Sequence, residues 1–522
     1  MKKISLLGLV LGFLQILSAQ SGPGFADSTF SQNGLKIVDL GTQGDRCNTS
    51  ILGSDGRLWL GGYSTNSTAD MTMIRLNKDG ALDNTFKNNG VGTFDYAPEG
   101  GEYFKAFYSG KDGSIFGVGI IAGLDNPDVI VVKMNAKGVL DASFGKDGHA
   151  IFDILGGTDE AIKIIEDTEG RLVILGNTIN QGYDMFLLRL NTDGTVDSSF
   201  NKDGIVILDP FGYDNYAADL SERPAGGYYV FGTSSGNGKI FGSIMSVSKN
   251  GNFNIDLGGP GSMGFQVGSY KTGINAGKFY NQSLLISGSF IGDEDNQDGF
   301  IARIGLDGKL NESFNLTGIV EIKLSPANQA DEIFRTMEIA SDSSIFLGGI
   351  ANDGETKMLV AKYGMNGIRD PFFGNLNGRL FSAFPEANAT GFELTSSVLD
   401  EENQRFYLTG TANMSNGTVL DYFAYAIRTG LTKDTSTSTS IKSIAIQTFS
   451  IFPNPSKGTL NLKSSDLIGY SALIFNVQGQ LVQSIQIEES FILMNQDLQN
   501  GIYFVRVVRP EGIYQSKISL QR

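Results

Sequence analysis

The turn "LDASFGKDG", from Leu140 to Gly148, recurs along this chain of 522 residues. Its copies include "LDNTFKNNG" from Leu82, "VDSSFNKDG" from Val196 and "LNESFNLTG" from Leu310. Aligning the copies places a Phe, or once a Leu, at seven positions that lie 56 to 59 residues apart: Phe30, Phe86, Phe144, Phe200, Leu257, Phe314 and Phe373. A fixed period of this size indicates a repeat architecture.

Each copy also carries an Asp or Asn three residues before the aromatic residue and a Gly four or five residues after it. Asp and Asn side chains bond to their own downstream backbone, and Gly adopts a positive φ without steric cost. The pattern therefore predicts a shaped turn in which the acidic residue is structural and the aromatic residue is buried in the core.

Four short segments rich in Ile, Val, Leu and Phe recur between successive turns. In the third interval they read "AIFDIL", "EAIKIIED", "RLVILGN" and "DMFLLRLN". Gly, Asp or Asn bounds each segment, which is typical of β-strands, and no interval contains a helix-length stretch of 3.6-residue periodicity. Four strands repeated seven times predict an all-β fold, a seven-bladed β-propeller over residues 21–430. A linear β-solenoid would also repeat, but its coils are usually shorter than ~56 residues.

The two ends of the repeat region are complementary. The first turn, which contains Phe30, has no strand before it, whereas the last strand, "DYFAYAIRTG" from Asp421, has no turn after it. All-β proteins usually avoid exposed sheet edges by closure. We therefore expect the N-terminal turn to complete the last blade, with Phe30 packed against the strand from Tyr422 to Ile427.

The repeat also resembles a known family. The turn G-x-L-D-x-S-F-x-x-x-G, the strand that begins D-G-R/K and the approach R-L-N-x-D-G are similar to the delta-60 repeat family of secreted, propeller-like bacterial proteins. The resemblance covers about residues 24–430. The fifth copy, "GNFNIDLGGPG", departs from the pattern because it lacks the Phe and the Ser. The resemblance implies an architecture and no particular activity.

The N-terminus predicts export. "MKKISLLGLVLGFLQILSAQ" combines two lysines, an apolar run from Ile4 to Leu17 and small residues, which is typical of a signal peptide over residues 1–20. No later stretch approaches the ~18 apolar residues of a membrane span, so no transmembrane segment is expected after signal removal. The single cysteine, Cys47, cannot form an internal disulfide. The formal net charge of −16 disfavours a nucleic acid partner.

The C-terminal part follows a different pattern. After a polar linker at 431–447, residues 448–522 alternate in polarity between Gly and Pro turns, which predicts a small Ig-like β-sandwich. "FPNPSKGTL", "NVQGQ" and "LQNGIYFVR" resemble the type A C-terminal sorting domain of the Bacteroidetes type IX secretion system. The residues that carry this resemblance are Pro453, Asn454, Pro455, Gly458, Leu460, Gly479, Gly501 and Tyr503.

That resemblance implies a partner and a destination. The partner is the type IX secretion machinery. The destination is the outer cell surface or the medium, reached through the periplasm.

Motifs of known chemistry are scarce. "GTSSG", with Ser234 at its centre, matches the G-x-S-x-G pattern of serine hydrolases, which needs a strand-to-helix turn and a histidine partner. The only histidine, His149, follows a repeat turn. Asp293, Asp295 and Asp298 in "GDEDNQDG" form a candidate calcium site, but their spacing differs from an EF-hand and favours a solvated acidic loop. The sequence thus predicts no catalytic residue, no cofactor and no metal site.

One strand register carries a basic residue in five repeats: Arg75, Lys133, Arg189, Arg303 and Lys362. These side chains could form a ring that faces an anionic ligand. Alternatively, each could pair with the Asp of the repeat turn in a structural ion pair. The second interpretation is favoured.

The leading functional hypothesis is a secreted or surface-displayed propeller that acts as a non-catalytic binding or adhesion protein, with a glycan or a protein as ligand. The alternative is a secreted, carboxylate-dependent glycan hydrolase or lyase with its site at the propeller mouth. An enzyme would bring acidic and aromatic residues from outside the repeat into one pocket with perturbed carboxylates. A binding protein would present a nearly symmetric face.

Overall fold

The computed structural model describes residues 23–431 and 446–522, with short gaps at 42–43, 98, 123–125, 181, 255–256, 260, 293–295, 324–330, 375–378, 385, 387–388, 415–419, 449, 463–466, 468–469, 477–480, 488–490, 495, 497 and 510–511. The predicted signal peptide and most of the predicted linker lie outside these residues. The described chain is built from β-strands and contains no α-helix, so the all-β prediction is confirmed. Among these residues no helix is long and apolar enough to cross a membrane.

Strands β1 to β28 form antiparallel sets of four, which we call blades 1 to 7. Blade 1 contains β2 (Gly44–Leu52), β3 (Leu58–Thr65), β4 (Ala69–Leu76) and β5 (Val91–Phe94). Blade 2 contains β6 (Gly101–Ser109), β7 (Ile115–Ala122), β8 (Asp128–Met134) and β9 (His149–Phe152). Blade 3 contains β10 (Thr158–Glu166), β11 (Leu172–Ile179), β12 (Tyr183–Leu190) and β13 (Ile205–Leu208).

The remaining blades follow the same order. Blade 4 contains β14 (Asp214–Glu222), β15 (Gly227–Gly236), β16 (Lys239–Ser248) and β17 (Ser262–Phe265). Blade 5 contains β18 (Lys271–Tyr280), β19 (Ser283–Ile291), β20 (Gln297–Gly305) and β21 (Ile319–Ile322). Blade 6 contains β22 (Asp331–Ile339), β23 (Ile345–Asn352), β24 (Thr356–Tyr363) and β25 (Arg379–Ala383). Blade 7 contains β26 (Ala389–Asp400), β27 (Arg405–Met414), β28 (Leu420–Arg428) and β1 (Leu35–Val38).

The blades form a closed ring around their first strands. Each first strand contacts the first strand of the next blade, and β26 of blade 7 contacts β2 of blade 1. In blades 1 to 6 a repeat turn links the third strand to the fourth, so the first strand after each of these turns completes the blade that precedes the turn. The fifth turn, which lacks the Phe, is still followed by an edge strand, β17, that pairs with β16.

The N-terminal segment completes blade 7, as predicted. β1 pairs antiparallel with β28, from Leu35 opposite Tyr425 to Val38 opposite Tyr422. Phe30 is fully buried, and its ring centroid lies 5.3 Å from that of Tyr407 on β27. This packing repeats that of Phe86 against Trp59 in blade 1, where the centroids are 4.9 Å apart. A strand from one end of the repeat region therefore closes the ring at the other end.

The repeat turn has the predicted construction. All seven aligned aromatic or leucine side chains are buried. In the third copy, Asp141 Oδ1 accepts hydrogen bonds from the backbone N–H of Ser143 (3.1 Å) and from its hydroxyl (2.6 Å). Gly148 adopts a φ of 94° and its N–H donates to the carbonyl of Phe144 at 3.0 Å. The Asp shapes the turn and the Gly provides the left-handed backbone that the turn requires.

The turn also joins one blade to the next. The N–H of Gly145, directly after the buried Phe144, donates to the carbonyl of Asp193 in blade 3 at 2.8 Å. The same bond recurs between Asn201 and the carbonyl of Asn250, at 3.0 Å. The turns that contain Phe144 and Phe200 therefore link neighbouring blades in addition to connecting strands within their own blades.

The basic residues of the repeat strengthen this link. Arg189 is buried, pairs through Nε with Asp197 Oδ2 at 2.8 Å and donates through Nη1 to the carbonyl of Lys249 in the next blade at 2.7 Å. Equivalent ion pairs join Arg75 to Asp83, Lys133 to Asp141 and Lys362 to Asp370. The favoured structural interpretation of this register is confirmed for these four residues.

Blades 5 and 7 lack the ion pair between the basic position and the Asp of the turn, and each replaces it with another contact. Arg303 faces a neutral Asn311 turn and donates instead to Ser283 Oγ at 2.7 Å. Blade 7 has Ala426 at the basic position, and its turn residue Asp27 pairs with Arg405 Nε of the neighbouring strand β27 at 2.6 Å. Although burial raises the pKa of Asp27, hydrogen bonds from Thr29 and Arg405 outweigh it and lower that pKa to about 2.

We expect Asp141→Ala to lower the free energy of unfolding by about 1 kcal/mol, because the turn loses its side-chain hydrogen bonds. The Ser143 hydroxyl and Lys133 lower the pKa of Asp141 to about 2. The contribution of the ionised Asp141 carboxylate to the free energy of unfolding should therefore be complete above pH ~4 and disappear as the pH falls through about 2. Urea unfolding at pH 7 measures it, with exposed Lys146→Ala as the control, expected within about 0.5 kcal/mol of wild type. An equal effect of both substitutions would contradict the structural role of Asp141.

The C-terminal residues form two further sheets. The larger one contains β29 (Ile446–Thr448), β32 (Ser471–Asn476), β33 (Leu481–Gln486), β35 (Gly501–Arg509) and β36 (Gly512–Leu520). The smaller one contains β30 (Ile451–Phe452), β31 (Thr459–Leu462) and β34 (Phe491–Leu493). Buried residues of both, among them Leu460, Ile474, Ile492 and Val505, share one hydrophobic core drawn from residues 451–520 alone. The two sheets thus pack as a small β-sandwich.

Candidate ligand-binding cavity on the propeller axis

The first strand of every blade contains a β-bulge at the same place. There the pairing with the second strand skips one residue: Asn48, Lys105, Ile162, Ala218, Asn275, Arg335 or Thr395. A bulge inserts one residue, bends the strand and redirects a side chain. Because the seven first strands surround the propeller axis, the bulges carry their residues to one central place.

Some bulge residues hold adjacent blades together. The Asn48 amide donates to the carbonyl of Phe104 in the next blade at 2.8 Å, and the Asn275 amide donates to the carbonyl of Phe334 at 2.7 Å. Thr395 Oγ1 donates to the carbonyl of Cys47 at 2.9 Å, which joins blade 7 to blade 1. Buried Cys47 is therefore part of the ring closure, and burial raises the pKa of its thiol to about 12.

The bulges surround a central cavity of about 450 Å³ that has lining residues from all seven blades. Three ion pairs between neighbouring blades stand in or beside it. They join Lys105 Nζ to Glu160 Oε1 (2.6 Å), Lys163 Nζ to Asp219 Oδ1 (3.1 Å) and Lys278 Nζ to Glu338 Oε2 (3.4 Å). Arg335 also lines the cavity, is exposed, and forms no ion pair within the described residues.

Charged neighbours hold Asp219 and Lys278 of this cavity in their ionised forms. Burial raises the pKa of Asp219, but Lys163, Lys278 and the N–H of Gly277 outweigh it, so the pKa is lowered overall. Glu338 raises the pKa of Lys278 against the effect of burial. Asp219 and Lys278 therefore keep their charges near neutral pH.

Tyr183 and Tyr216 form an exposed pair of aromatic side chains between blades 3 and 4. Tyr216 precedes its bulge residue by two positions, as does Glu160, which pairs with Lys105 of the cavity. Its ring centroid lies 5.1 Å from that of Tyr183, and the two residues are 39% and 38% exposed. The pair offers an apolar surface with polar hydroxyl groups at its edge.

None of these cavity residues was identified from the sequence. The bulge positions follow the repeat period, but their residue types differ from blade to blade. Five of the seven residues are polar although they lie within strands, and this is the signal that could have indicated them. The equivalence of the seven bulge positions becomes apparent only from the pairing of the first and second strands in each blade.

The candidates that the sequence did identify lie elsewhere. Ser234 is buried in β15 and donates its hydroxyl to Asn215 Oδ1 at 2.6 Å, which is a structural role. His149 begins the edge strand β9, and its ring centroid lies 4.7 Å from that of Tyr96. Burial lowers the pKa of His149, so the ring is neutral at pH 7.

The predicted acidic loop is only partly visible. Asp293 and Asp295 lie outside the described residues. Asp298 is buried, accepts a hydrogen bond from Asn296 at 3.1 Å and pairs with Lys323 Nζ at 3.3 Å. A lysine partner already neutralises Asp298, so its carboxylate gives no support to a cation site there.

Carboxylates with raised pKa values lie at the junctions between blades, among other carboxylates. Burial raises the pKa of Glu102 to about 7, with a further contribution from Asp95 and Asp70. Burial, Asp39 and Asp45 raise the pKa of Asp421 to about 6. Neither Glu102 nor Asp421 lines the central cavity.

The residues of the predicted sorting motif mainly support the C-terminal sandwich. Asn454 holds β36 by donating to the carbonyl of Lys517 and accepting from the N–H of Ser519, both at 2.8 Å. Leu460 is fully buried, and the hydroxyl of Tyr503 donates to the carbonyl of Gln499 at 2.7 Å. Pro453 and Pro455 flank Asn454, and Gly458 adopts a φ of 124°.

Two further motif residues complete this description. Gly501 begins β35, whereas Gly479 lies outside the described residues.

Comparison with known families identifies both parts of the chain. Residues 450–521 match the family described as "Secretion system C-terminal sorting domain". Residues 53–86 and 170–200 match a β-propeller domain of unknown function, DUF5122. These ranges cover the second and third strands and the repeat turn of blades 1 and 3. The chain is therefore a β-propeller protein with a type IX secretion sorting domain, and it is exported to the cell surface or the medium.

No curated protein sequence matches the chain. Similar solved structures include the polysaccharide lyase Uly1 (8% identity, 72% of this chain and 88% of that chain, TM-score 0.41). They also include extracellular domains 1–2 of Drosophila Semaphorin 1a (10%, 76% and 87%, TM-score 0.40). PorZ, a surface component of the type IX secretion system of Porphyromonas gingivalis, aligns with 94% of this chain and 75% of its own at 11% identity and a TM-score of 0.22. TM-scores below 0.5 indicate nothing about activity.

Proposed function

We propose that this exported β-propeller is a non-catalytic binding protein whose central cavity takes an acidic saccharide, one that carries carboxylate or sulfate groups. The observation that carries this proposal is the charge of the cavity. Lys105, Lys163, Lys278 and Arg335 provide four cations against the three carboxylates Glu160, Asp219 and Glu338, which leaves 4 − 3 = +1. This local excess of positive charge contrasts with the net charge of −16 of the whole chain.

Arg335 is the residue on which an anionic group would bind. The three lysines are each held by a carboxylate of a neighbouring blade, whereas the guanidinium of Arg335 has no ion-pair partner among the described residues. A guanidinium presents its donors in a fixed fork that matches a carboxylate or a sulfate. Within the described structure, the cavity lining therefore contains one guanidinium that no ion pair occupies.

The remaining lining supports a sugar as the ligand. Thr336, Ser396 and Ser397 provide hydroxyl groups, while Asn48 and Asn275 use their amide nitrogens between blades and retain oxygen acceptors. A volume of about 450 Å³ falls within the ~300–1,000 Å³ of small-ligand sites.

The alternative, a carboxylate-dependent hydrolase or lyase, finds less support here. A glycosidase needs one carboxyl group with a raised pKa beside a second, ionised one. In the cavity, the pKa of Asp219 is lowered, and both Asp219 and Glu338 are held by lysines. Such carboxylates favour charge-paired binding over proton donation.

Calorimetric titration of the mature protein with trigalacturonate tests this proposal, with maltotriose as the neutral trisaccharide. We expect trigalacturonate to bind and maltotriose to bind far more weakly. Arg335→Ala should weaken binding about tenfold, which corresponds to ~1.4 kcal/mol, the size of one hydrogen bond to a charged group. Lys137→Ala, a substitution of an exposed lysine in a repeat turn of blade 2, is the matched control and should leave the affinity unchanged.

Equal binding of both trisaccharides, or binding that is insensitive to Arg335, would contradict the proposed site. Chromatography of the sugar after incubation tests the other part of the proposal. Shortened sugar products would show that the protein cleaves its ligand, which would contradict a non-catalytic function and support the hydrolase or lyase alternative.

A further inference from the structure

Three junctions between blades contain the same group of acidic residues. In each group, one carboxylate oxygen from each of three residues lies within 4.8 Å of the other two. The groups are Asp421, Asp39 and Asp45 between blades 7 and 1, Asp70, Asp95 and Glu102 between blades 1 and 2, and Asp128, Asp153 and Asp159 between blades 2 and 3. We call them the junction carboxylates.

The three groups are equivalent in the repeat. The first member stands at the start of a third strand, the second follows the fourth strand of that blade, and the third lies near the start of the next first strand. The same geometry is thus produced three times by the same connection. Each group lies on the side of the ring where the chain passes from one blade to the next.

One buried carboxylate oxygen in each group has no hydrogen-bond partner in the described structure. These atoms are Glu102 Oε2, Asp159 Oδ1 and Asp421 Oδ1, and the three residues are at most 4% exposed. The other oxygen of Glu102 accepts the N–H of Tyr96 at 2.9 Å, and that of Asp159 accepts the N–H of Ile154 at 2.7 Å. Among the described residues, no lysine or arginine forms an ion pair with these three carboxylates.

The next junction shows that the fold does not require this arrangement. Between blades 3 and 4 the equivalent positions hold Asp184, Asp209 and Asn215. The Asn215 amide donates to Asp209 Oδ1 at 3.0 Å, and its oxygen accepts the hydroxyl of Ser234. An amide in place of one carboxylate satisfies that junction internally. The other three junctions have a carboxylate at the position of Asn215, so each contains three acidic groups that repel each other.

We propose that each of these three junctions binds one Ca²⁺ ion through its carboxylates. Oxygen atoms within 4.8 Å of each other can contact a single ion, because Ca²⁺–oxygen distances are about 2.3–2.6 Å. The unpartnered oxygens would then be ligands, and each ion would link the end of one blade to the start of the next.

The donor set selects the ion. The groups contain carboxylates only, with no His or Cys, which disfavours Zn²⁺. Mg²⁺ usually takes one or two carboxylates and keeps several waters, whereas Ca²⁺ accepts six to eight oxygen ligands in irregular geometry. The exposed members Asp39, Asp95 and Asp153 leave room for water to complete the coordination.

Calorimetric titration of the EDTA-treated, dialysed mature protein with CaCl₂ tests this proposal. We expect three ions per chain, one for each junction, and weaker binding of MgCl₂. Glu102→Gln, Asp159→Asn and Asp421→Asn should each remove one ion, and the triple variant should remove all three. Ca²⁺ should also raise the unfolding temperature of the wild type, because an ion that binds only the folded state stabilises it.

Asp184→Asn, at the junction that the Asn215 amide already satisfies, is the matched control and should leave the stoichiometry unchanged. In EDTA the three junction variants should unfold at or above the wild-type temperature, because each removes a repelling charge. If a variant does not fold, Tb³⁺ luminescence of the wild type provides a second measurement.

No Ca²⁺ binding at millimolar concentration, no emission that Ca²⁺ displaces, or a stoichiometry that these substitutions leave unchanged would overturn the proposal. The last result would place the ion elsewhere in the chain.

Discussion

Alanine in place of Phe30 is expected to lower the free energy of unfolding of the whole propeller by ~3–5 kcal/mol, the usual cost of truncating a buried aromatic side chain. Phe30 is fully buried and packs with Tyr407 and Tyr422 of blade 7 and with Leu60 and Ile74 of blade 1. The residue therefore stabilises the contact between the two ends of the ring. Urea unfolding followed by circular dichroism should show one transition at a lower midpoint.

Deletion of residues 24–34 should have a larger effect of the same kind. The segment donates Gly24 N–H to the carbonyl of Arg428 (2.7 Å) and Asp27 N–H to that of Ala426 (2.8 Å), and it contributes the Asp27–Arg405 ion pair. Without it the ring loses its closing contacts, and an open array would expose unpaired edges. We expect this variant to lose the cooperative transition of the propeller.

Phe144→Ala is the matched control for Phe30→Ala, because Phe144 occupies the same pocket in blade 2, away from the closure. Both substitutions should cost a similar amount, whereas only the N-terminal deletion should open the ring. A deletion variant that loses a few terminal contacts and keeps the wild-type midpoint would contradict closure by the N-terminal segment.

Removal of residues 432–522, which keeps the buried Leu431 of blade 7, is expected to abolish appearance at the cell surface and to leave the protein in the periplasm. The C-terminal family match provides the reason, since a sorting domain is the part of the chain that the secretion machinery requires. Cell fractionation of the native host, with the full-length chain as the control, measures this effect. Normal surface display of the truncated chain would show that export does not depend on this domain.

We further propose that the truncated chain folds. The core of the C-terminal sandwich draws on residues 451–520 alone, and the cores of the blades end at Leu431. The truncated chain should therefore keep the unfolding midpoint of the propeller, which separates a sorting defect from misfolding. An unfolded truncated chain would contradict two independently folding parts.

The cavity and the junctions differ in the sign of their excess charge. In the cavity, the carboxylates are held by lysines and one arginine is in excess, which suits an anionic ligand. At three junctions, the carboxylates are in excess, which suits a cation. Weaker saccharide binding by Arg335→Ala with unchanged Ca²⁺ stoichiometry would show that the two sites are independent.

The sequence by itself determined the features that depend on local interactions. The Asx-type turn around Asp141, the buried Phe144 and the positive φ of Gly148 all follow from residues close together in the chain. Repetition made the pattern visible seven times, so it also predicted the all-β propeller and the pairing of its two ends. The C-terminal motif identified the sorting domain in the same way, because its residues form a short, specific pattern.

Only the tertiary structure decided which side chains meet across blades. Lys163 and Asp219 stand 56 residues apart and pair because both follow a bulge on adjacent first strands. Blade 7 has no basic residue at the repeat position, and Arg405, from the other end of the repeat region, forms the ion pair with Asp27 instead. Bulges, ring closure and ion pairs of this kind depend on distances between residues on different strands. A sequence pattern shows only the order of residues along the chain, so it does not predict which strands bring their side chains together.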